Sequence, residues 1–207
     1  MKRIKWIHIA LCLLIVAAAI VVRVCVIHMV TVSDDSCAPR LHAGDRVAVL
    51  RALCSSMPER GDIVTFTHPA TGSELYVGTI AAAPSDTLWI DADGQLTTRH
   101  EAADLVVVPA EGQQLLIDVQ NIRLFNQAIQ LYEPVKSAII DEALYVSGEA
   151  VEHYRFTQSY YWLQGNRPDL DSRTLGLIPA SHITGTVQCV LYGHDPSQPL
   201  WKGWRWR

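Results

Sequence analysis

Three places in this 207-residue sequence gather side chains that could do chemistry. The first is Asp34-Asp35-Ser36-Cys37-Ala38-Pro39, where a serine stands ahead of a proline turn. A serine hydroxyl is a poor nucleophile at neutral pH and needs an adjacent base, so alone it carries no function. The second is Asp171-Ser172-Arg173, a carboxylate and a guanidinium two residues apart. Such a pair fixes a loop by charge-assisted hydrogen bonds more readily than it performs a reaction. The third is the tail Leu200-Trp-Lys-Gly-Trp-Arg-Trp-Arg207. Its tryptophans and cations suit a membrane interface, or else a frayed terminus packed on the domain. Cysteines add little: Cys12 and Cys25 lie in an apolar run, and Cys37, Cys54 and Cys189 are an odd set without C-x-x-C spacing. No metal or other cofactor is expected, and the three are read as small core residues, with one disulfide between two of them as the alternative. Asp45 and Asp62 each follow a glycine and read as turn residues, and His68 beside Pro69 as a turn or surface histidine.

These residues need elements to position them. After Lys2, Arg3 and Lys5 the chain is apolar from Trp6 to Val22 apart from His8, and again from Val24 to Val32 after Arg23. A helix crosses a bilayer with roughly 20 apolar residues. The basic start predicts a cytoplasmic N-terminus, an anchor over residues 1–32 and export of everything after it, with Arg23 snorkelling to the far interface. A cleaved secretory signal would stop sooner, at the small residues Ala17 to Ala19; here the apolar run continues past them. Of 17 Lys and Arg, four precede Asp34, whereas none of the 21 Asp and Glu does, so the body is more acidic than the formal charge of -4 suggests. Nucleic acid is excluded as a main partner, since a phosphate backbone needs a basic face.

Beyond Asp45 the pattern predicts short strands: Arg46 to Leu50, Asp62 to Thr67, Leu75 to Ile80, Thr87 to Ile90 and Leu105 to Val108. Breaks fall at Gly44, Gly61, Pro69, Gly72, Pro84 and the hairpin dipeptide Asp93-Gly94. Ile122, Phe125, Ile129 and Tyr132 recur at helical spacing over Asn121–Tyr132, and Pro134 stops the helix. Strands resume at Ala143 to Val146, Arg155 to Thr157, Tyr160 to Leu163 and Gly185 to Tyr192. The chain shows no internal repeat.

Three segments, in order, resemble the type I signal peptidases, membrane-anchored serine endopeptidases that cut signal peptides from exported proteins. Ser36-Cys-Ala-Pro39-Arg-Leu41 with Gly44-Asp45-Arg-Val47-Ala-Val49 is similar to the family's S-M-x-P-T-L-x-x-G-D-x-V-x-V. Arg60-Gly-Asp-Ile-Val64, then Tyr76-Val77 and Pro84-Ser-Asp86, is similar to R-G-D-I-V and Y-V-K-R-V-x-G-x-P-G-D. Gly165-Asn-Arg167, Asp171-Ser-Arg173, Gly176-Leu-Ile-Pro179 and Ile183-Thr-Gly185 are similar to G-D-N-R-x-x-S-x-D-S-R, W-G-x-V-P and I-x-G. The Asn126 to Glu133 stretch and Tyr160-Tyr161 look like those of Bacteroidetes-type members. The match spans about residues 1–190.

The resemblance implies a fold: a mainly antiparallel β domain, a folded sheet or partial β-barrel over residues 33–195. It would carry a small α-containing insertion at about 95–150, one N-terminal transmembrane helix at 1–32 and the tail at 196–207. It also implies Ser36 as nucleophile, a desolvated lysine as general base, and an oxyanion held by the serine N–H and a small residue two positions earlier. Here the sequence departs from the pattern. Gly78 stands at the base position and Thr79 at the next, and the lysines Lys2, Lys5, Lys136 and Lys202 all lie elsewhere. His68 is the nearest substitute base. Asp34 stands on the oxyanion side, where a carboxylate repels developing negative charge. The interval Arg167 to Asp171 is one residue short, with Pro168, Asp169 and Leu170 where the family keeps a serine beside its lysine.

Three functions are therefore weighed. One is an inactive or weakly active homologue, a pseudoenzyme that binds signal peptides or preproteins beside membrane lipid and an active signal peptidase. The second is an active peptidase with Ser36 and a different base, and the third a structural anchored β protein. All place the chain in the inner (cytoplasmic) membrane as a single-pass protein with its C-terminal domain periplasmic. Asp171, Ser172 and Arg173 are expected to shape the site rather than react.

Overall fold

A computed structural model describes residues 8, 11–17, 26–52, 57–68, 74–91, 96–97 and 104–193. Among these residues strands follow in chain order: β1 Ile27–Thr31, β2 Arg46–Arg51, β3 Ile63–Thr67, β4 Leu75–Ala82, β5 Thr87–Ile90, β6 Asp104–Val107 and β7 Gln114–Leu116. Helix α1, Ile122–Tyr132, comes next, then β8 Ser137–Ile140, β9 Ala143–Val146, β10 Glu149–Val151, β11 His153–Arg155 and β12 Tyr160–Gln164. A short helix α2, Ser172–Leu175, leads to β13 Ile178–Pro179 and the long β14 Ile183–Tyr192.

The main sheet is curled and antiparallel, ordered β1-β2-β14-β3-β4-β12-β13. Its strands alternate as half-buried β sequences must. Val47 and Val49 of β2 point inward with Val77 of β4, Val32, Cys37 and Leu41. Val64, Phe66, Ile80, Leu163 and Ile178 fill a second cluster. Strand β12 is buried on both faces: Tyr161 and Leu163 enter that second cluster, whereas Tyr160 and Trp162 enter the core of an α-containing lobe. In that lobe α1 buries Ile122, Phe125, Ala128 and Ile129. They meet Leu88, Val106, Leu144 and Phe156 from the hairpin β5-β6, the small sheet β10-β9-β8 and the segment after β11.

The expected strands and helix are found with ends moved by a residue or two, and two readings change. The last part of the apolar N-terminal run is not helical, because Ile27–Thr31 pairs with Arg46–Leu50 along the sheet edge. Its alternating exposure and its β-branched Ile27, Val30 and Thr31 suit a strand. No described helix is long and apolar enough to cross a membrane. The expected strand Arg155 to Thr157 instead ends at Arg155, because the Thr157 N–H turns to the buried Glu133 carboxylate at 3.2 Å. Most of the 1–25 stretch, Cys54, the Asp93-Gly94 turn and the tail after residue 193 lie outside the described residues. Cys37 and Cys189 are free thiols.

Candidate functional site

Ser36 sits in the loop joining β1 to β2, and local hydrogen bonds explain its shape. Val32 and Asp45 close the loop's neck, the Val32 N–H donating to the Asp45 carbonyl at 2.8 Å. Buried Asp45 accepts the His42 N–H on its carboxylate at 3.0 Å, and Asp35 accepts that of Ala43 at 2.9 Å. The apolar Val32, Cys37 and Leu41 pin the loop into the sheet's core. Asp34 folds over the serine: its Oδ1 accepts the Ser36 backbone N–H at 2.8 Å. Ser36 itself is 4% exposed, and its Oγ is buried with no hydrogen-bond partner.

The segment after β12 holds this loop from the other side. The Asn166 N–H donates to the Ser36 carbonyl at 2.7 Å, and Asn166 Nδ2 donates to the carbonyls of Ala38 at 3.0 Å and Asp35 at 3.4 Å. Gly165 makes the approach feasible, because a Cβ there would lie 2.8 Å from the Ser36 carbonyl oxygen. Gly165 is gripped in turn. Its N–H donates to Asp171 Oδ2 at 3.0 Å and its carbonyl accepts Arg173 Nη2 at 2.6 Å. The Asp171 and Arg173 side chains pair with each other and are 3% and 11% exposed. Asp171 also caps α2 by accepting the Arg173 N–H at 2.9 Å, and the buried Ser172 hydroxyl accepts the Leu163 N–H at 2.9 Å. The hydrogen bond to Asp171 holds the Arg173 guanidinium above its ordinary pKa.

Gly78 lies in the middle of β4, paired with Val64. Alternation places it on the face of Tyr76 and Ile80, opposite Val77 and Thr79. A Cβ on Gly78 would lie 3.3 Å from Phe66 Cε1 and 3.5 Å from Leu163 Cβ, so apolar atoms surround the direction a side chain would take. Thr79 faces away and donates its hydroxyl to the Cys37 sulfur at 3.8 Å, tying β4 to the Ser36 loop. Burial pushes the Cys37 thiol up to about 11, so it is not a thiolate at neutral pH. His68 follows β3, with its ring 5.7 Å from that of Tyr76. Arg167 and Asp169 form an exposed pair beside the loop. Asp34 lies within electrostatic reach of Arg167, whose pKa is raised chiefly by Asp169 and to a smaller degree by Asp34. Among the described residues no group of His, Cys, Asp and Glu could hold a metal ion.

A family model described as signal peptidase, peptidase S26, matches residues 3–192, most of the chain. The chain belongs to the signal peptidase family. Among curated proteins no match was found. Membership gives the arrangement a chemical meaning: a signal peptidase of this family is a hydrolase acting on signal peptides or preproteins. Within the described residues the Ser36 loop is joined through Asn166 and Gly165 to the Asp171–Arg173 pair. The sequence reading did not single out Gly165 and Asn166 as the staple of the serine loop. The signal was present, since glycine next to asparagine combines close backbone approach with a side chain that bonds backbone groups.

Proposed function

We propose that this chain engages signal peptides of exported proteins as a signal peptidase homologue with weak or no turnover. The observation that carries the reading is the combination of an unpartnered, buried Ser36 hydroxyl with a glycine at position 78, whose side-chain direction runs between Phe66 and Leu163. A general base contributes about 10²–10⁴-fold and a single oxyanion donor about 10²–10³-fold, so a site short of both retains little rate. The role that this leaves is binding a peptide at the face around Ser36. The basic N-terminus and the apolar run that follows support an anchor in the inner membrane ahead of β1, with the β domain exported. Its partners are then a preprotein, lipid and an active signal peptidase of the same membrane.

The test is cleavage of a preprotein in detergent by the full-length chain, beside Ser36→Ala and Gly78→Lys. Turnover at or near the Ser36→Ala background, with measurable gain in Gly78→Lys, is expected. Clean cleavage by the unmodified chain that Ser36→Ala abolishes would refute the reading and direct attention to His68.

A further inference from the structure

The Asp34 carboxylate occupies a particular place, because the Ser36 N–H that it accepts is the donor a bound carbonyl or carboxylate would need. In an acyl-transfer site the nucleophile's own backbone N–H receives the substrate's oxygen. Here that N–H already holds an anionic oxygen at 2.8 Å, supplied from two residues upstream in the chain. An Asp accepting the N–H two residues on is also an ordinary turn, so the contact alone assigns nothing. What distinguishes this one is the neighbouring hydroxyl, buried, without a partner and on the same residue. Asn166, by contrast, engages the Ser36 carbonyl from the other side with its N–H at 2.7 Å. The donor that remains for a ligand is thus covered by a negative charge, and the field of that charge reaches Arg167 beyond the loop.

We infer that Asp34 is a specificity-determining residue that admits neutral peptide carbonyls and rejects peptide carboxylates at Ser36. An uncleaved precursor presents a neutral carbonyl there, and it need only displace Asp34 from one hydrogen bond. A cleaved leader presents a C-terminal carboxylate, which must sit beside a second carboxylate, and like charges in contact cost several-fold to many-fold in affinity. The chain would accordingly hold precursors and release cleaved leaders. This assignment rests on the reading of the face around Ser36 as a peptide groove.

The experiment measures binding of two fluorescent peptides to the purified full-length chain in detergent. Each is an apolar leader segment ending in Ala-x-Ala, one with a free C-terminal carboxylate and one amidated. The unmodified chain should bind the amide about tenfold more tightly than the acid. In Asp34→Ala and Asp34→Asn the two peptides should bind alike to within about twofold. Asparagine keeps an acceptor for the Ser36 N–H and so keeps the turn, which separates loss of charge from loss of folding. An acid-to-amide ratio near one in the unmodified chain, or a preference for the amide that survives in both variants, would overturn the assignment alone. Failure of every chain to bind either peptide would overturn it together with the groove reading.

Discussion

The Ser36 carbonyl is held by a backbone N–H at close approach, so a residue highly sensitive to change near it is a glycine. A Cβ at position 165 would meet the Ser36 carbonyl oxygen at 2.8 Å, and neither partner is a flexible side-chain end. Gly165→Ala should therefore cost about 2 kcal/mol or more in urea unfolding, with the Asn166 hydrogen bond to Ser36 lost. A result within about 0.5 kcal/mol would mean the loop shifts freely. Gly78 behaves differently, because its nearest neighbour is a phenylalanine ring edge at 3.3 Å that yields by a few tenths of an ångström. Gly78→Lys should still lose about 1–3 kcal/mol from crowding Phe66 and Leu163, measurable by the same titration. At this scale the sequence was legible where motifs are contiguous. Ser36 stood out through the resemblance of its segment to the family motif, and Asp171 and Arg173 through a carboxylate and guanidinium two residues apart. The contacts of Asn166 with Ala38 and Asp35 could not, because they join segments some 130 residues apart through loop backbone. Asp34 was legible as a charge in the wrong place, but its bond to the Ser36 N–H needed coordinates.

Helix α1 ends at a buried carboxylate that organises the elements around it. Glu133 Oε1 accepts the Tyr160 hydroxyl at 2.8 Å, and Oε2 accepts the hydroxyls of Thr157 at 2.6 Å and Tyr154 at 3.2 Å. Glu133→Ala would leave these donors unsatisfied inside the lobe and should cost at least about 3 kcal/mol, seen as an earlier midpoint in denaturant. The same packing makes the lobe sensitive to alkali. Burial first, then the Glu133 contact, raises Tyr160 well above its ordinary pKa. Tyr154 and Tyr132 are pushed up to about 12, both chiefly by burial. A tyrosine whose folded pKa exceeds its unfolded value near 10 contributes its full stability below about pH 10 and loses it as pH rises through the folded value. Stability should fall between about pH 10 and 12, and phenolate absorbance of these rings should emerge with unfolding rather than before it. Simple titration of all tyrosines near pH 10 in a still-folded chain would contradict this. Strands such as Thr87–Ile90 and Ala143–Val146 were readable from their pattern, and α1 from its period. The hairpin β8-β9 was not, because its two turn residues, Asp141 and Glu142, take positive φ values of 49° and 62° without a glycine to announce them. Strand β1 was hidden inside an apolar run whose composition fits helix and strand equally.

At the scale of the whole molecule, two cores share one wall. Strand β12 feeds Tyr160 and Trp162 into the lobe and Tyr161 and Leu163 into the sheet, so neither core closes without it. Its far end leads directly to Gly165 and Asn166, which places the serine loop at the junction of the two. The lobe should therefore unfold together with the sheet. Tryptophan fluorescence, sensitive to Trp162, and far-ultraviolet dichroism should give coincident denaturation curves, and separated midpoints would show independent units. The mainly β architecture follows from strand alternation in the sequence. The strand order does not, because alternation says which face is buried and not which neighbour is paired.

That order sets a timetable for assembly. Strand β14 is the last described strand and yet lies between β2 and β3, pairing with both. Until residues 183–192 have left the ribosome, β2 and β3 each lack a partner on that side, and their edges are free to pair with other chains. Loop closure over well more than a hundred residues makes this a slow step. A nascent chain of this protein is thus a natural client for chaperones from the time β3 emerges until β14 does, and a truncation just before β14 should yield aggregates in place of a smaller folded protein.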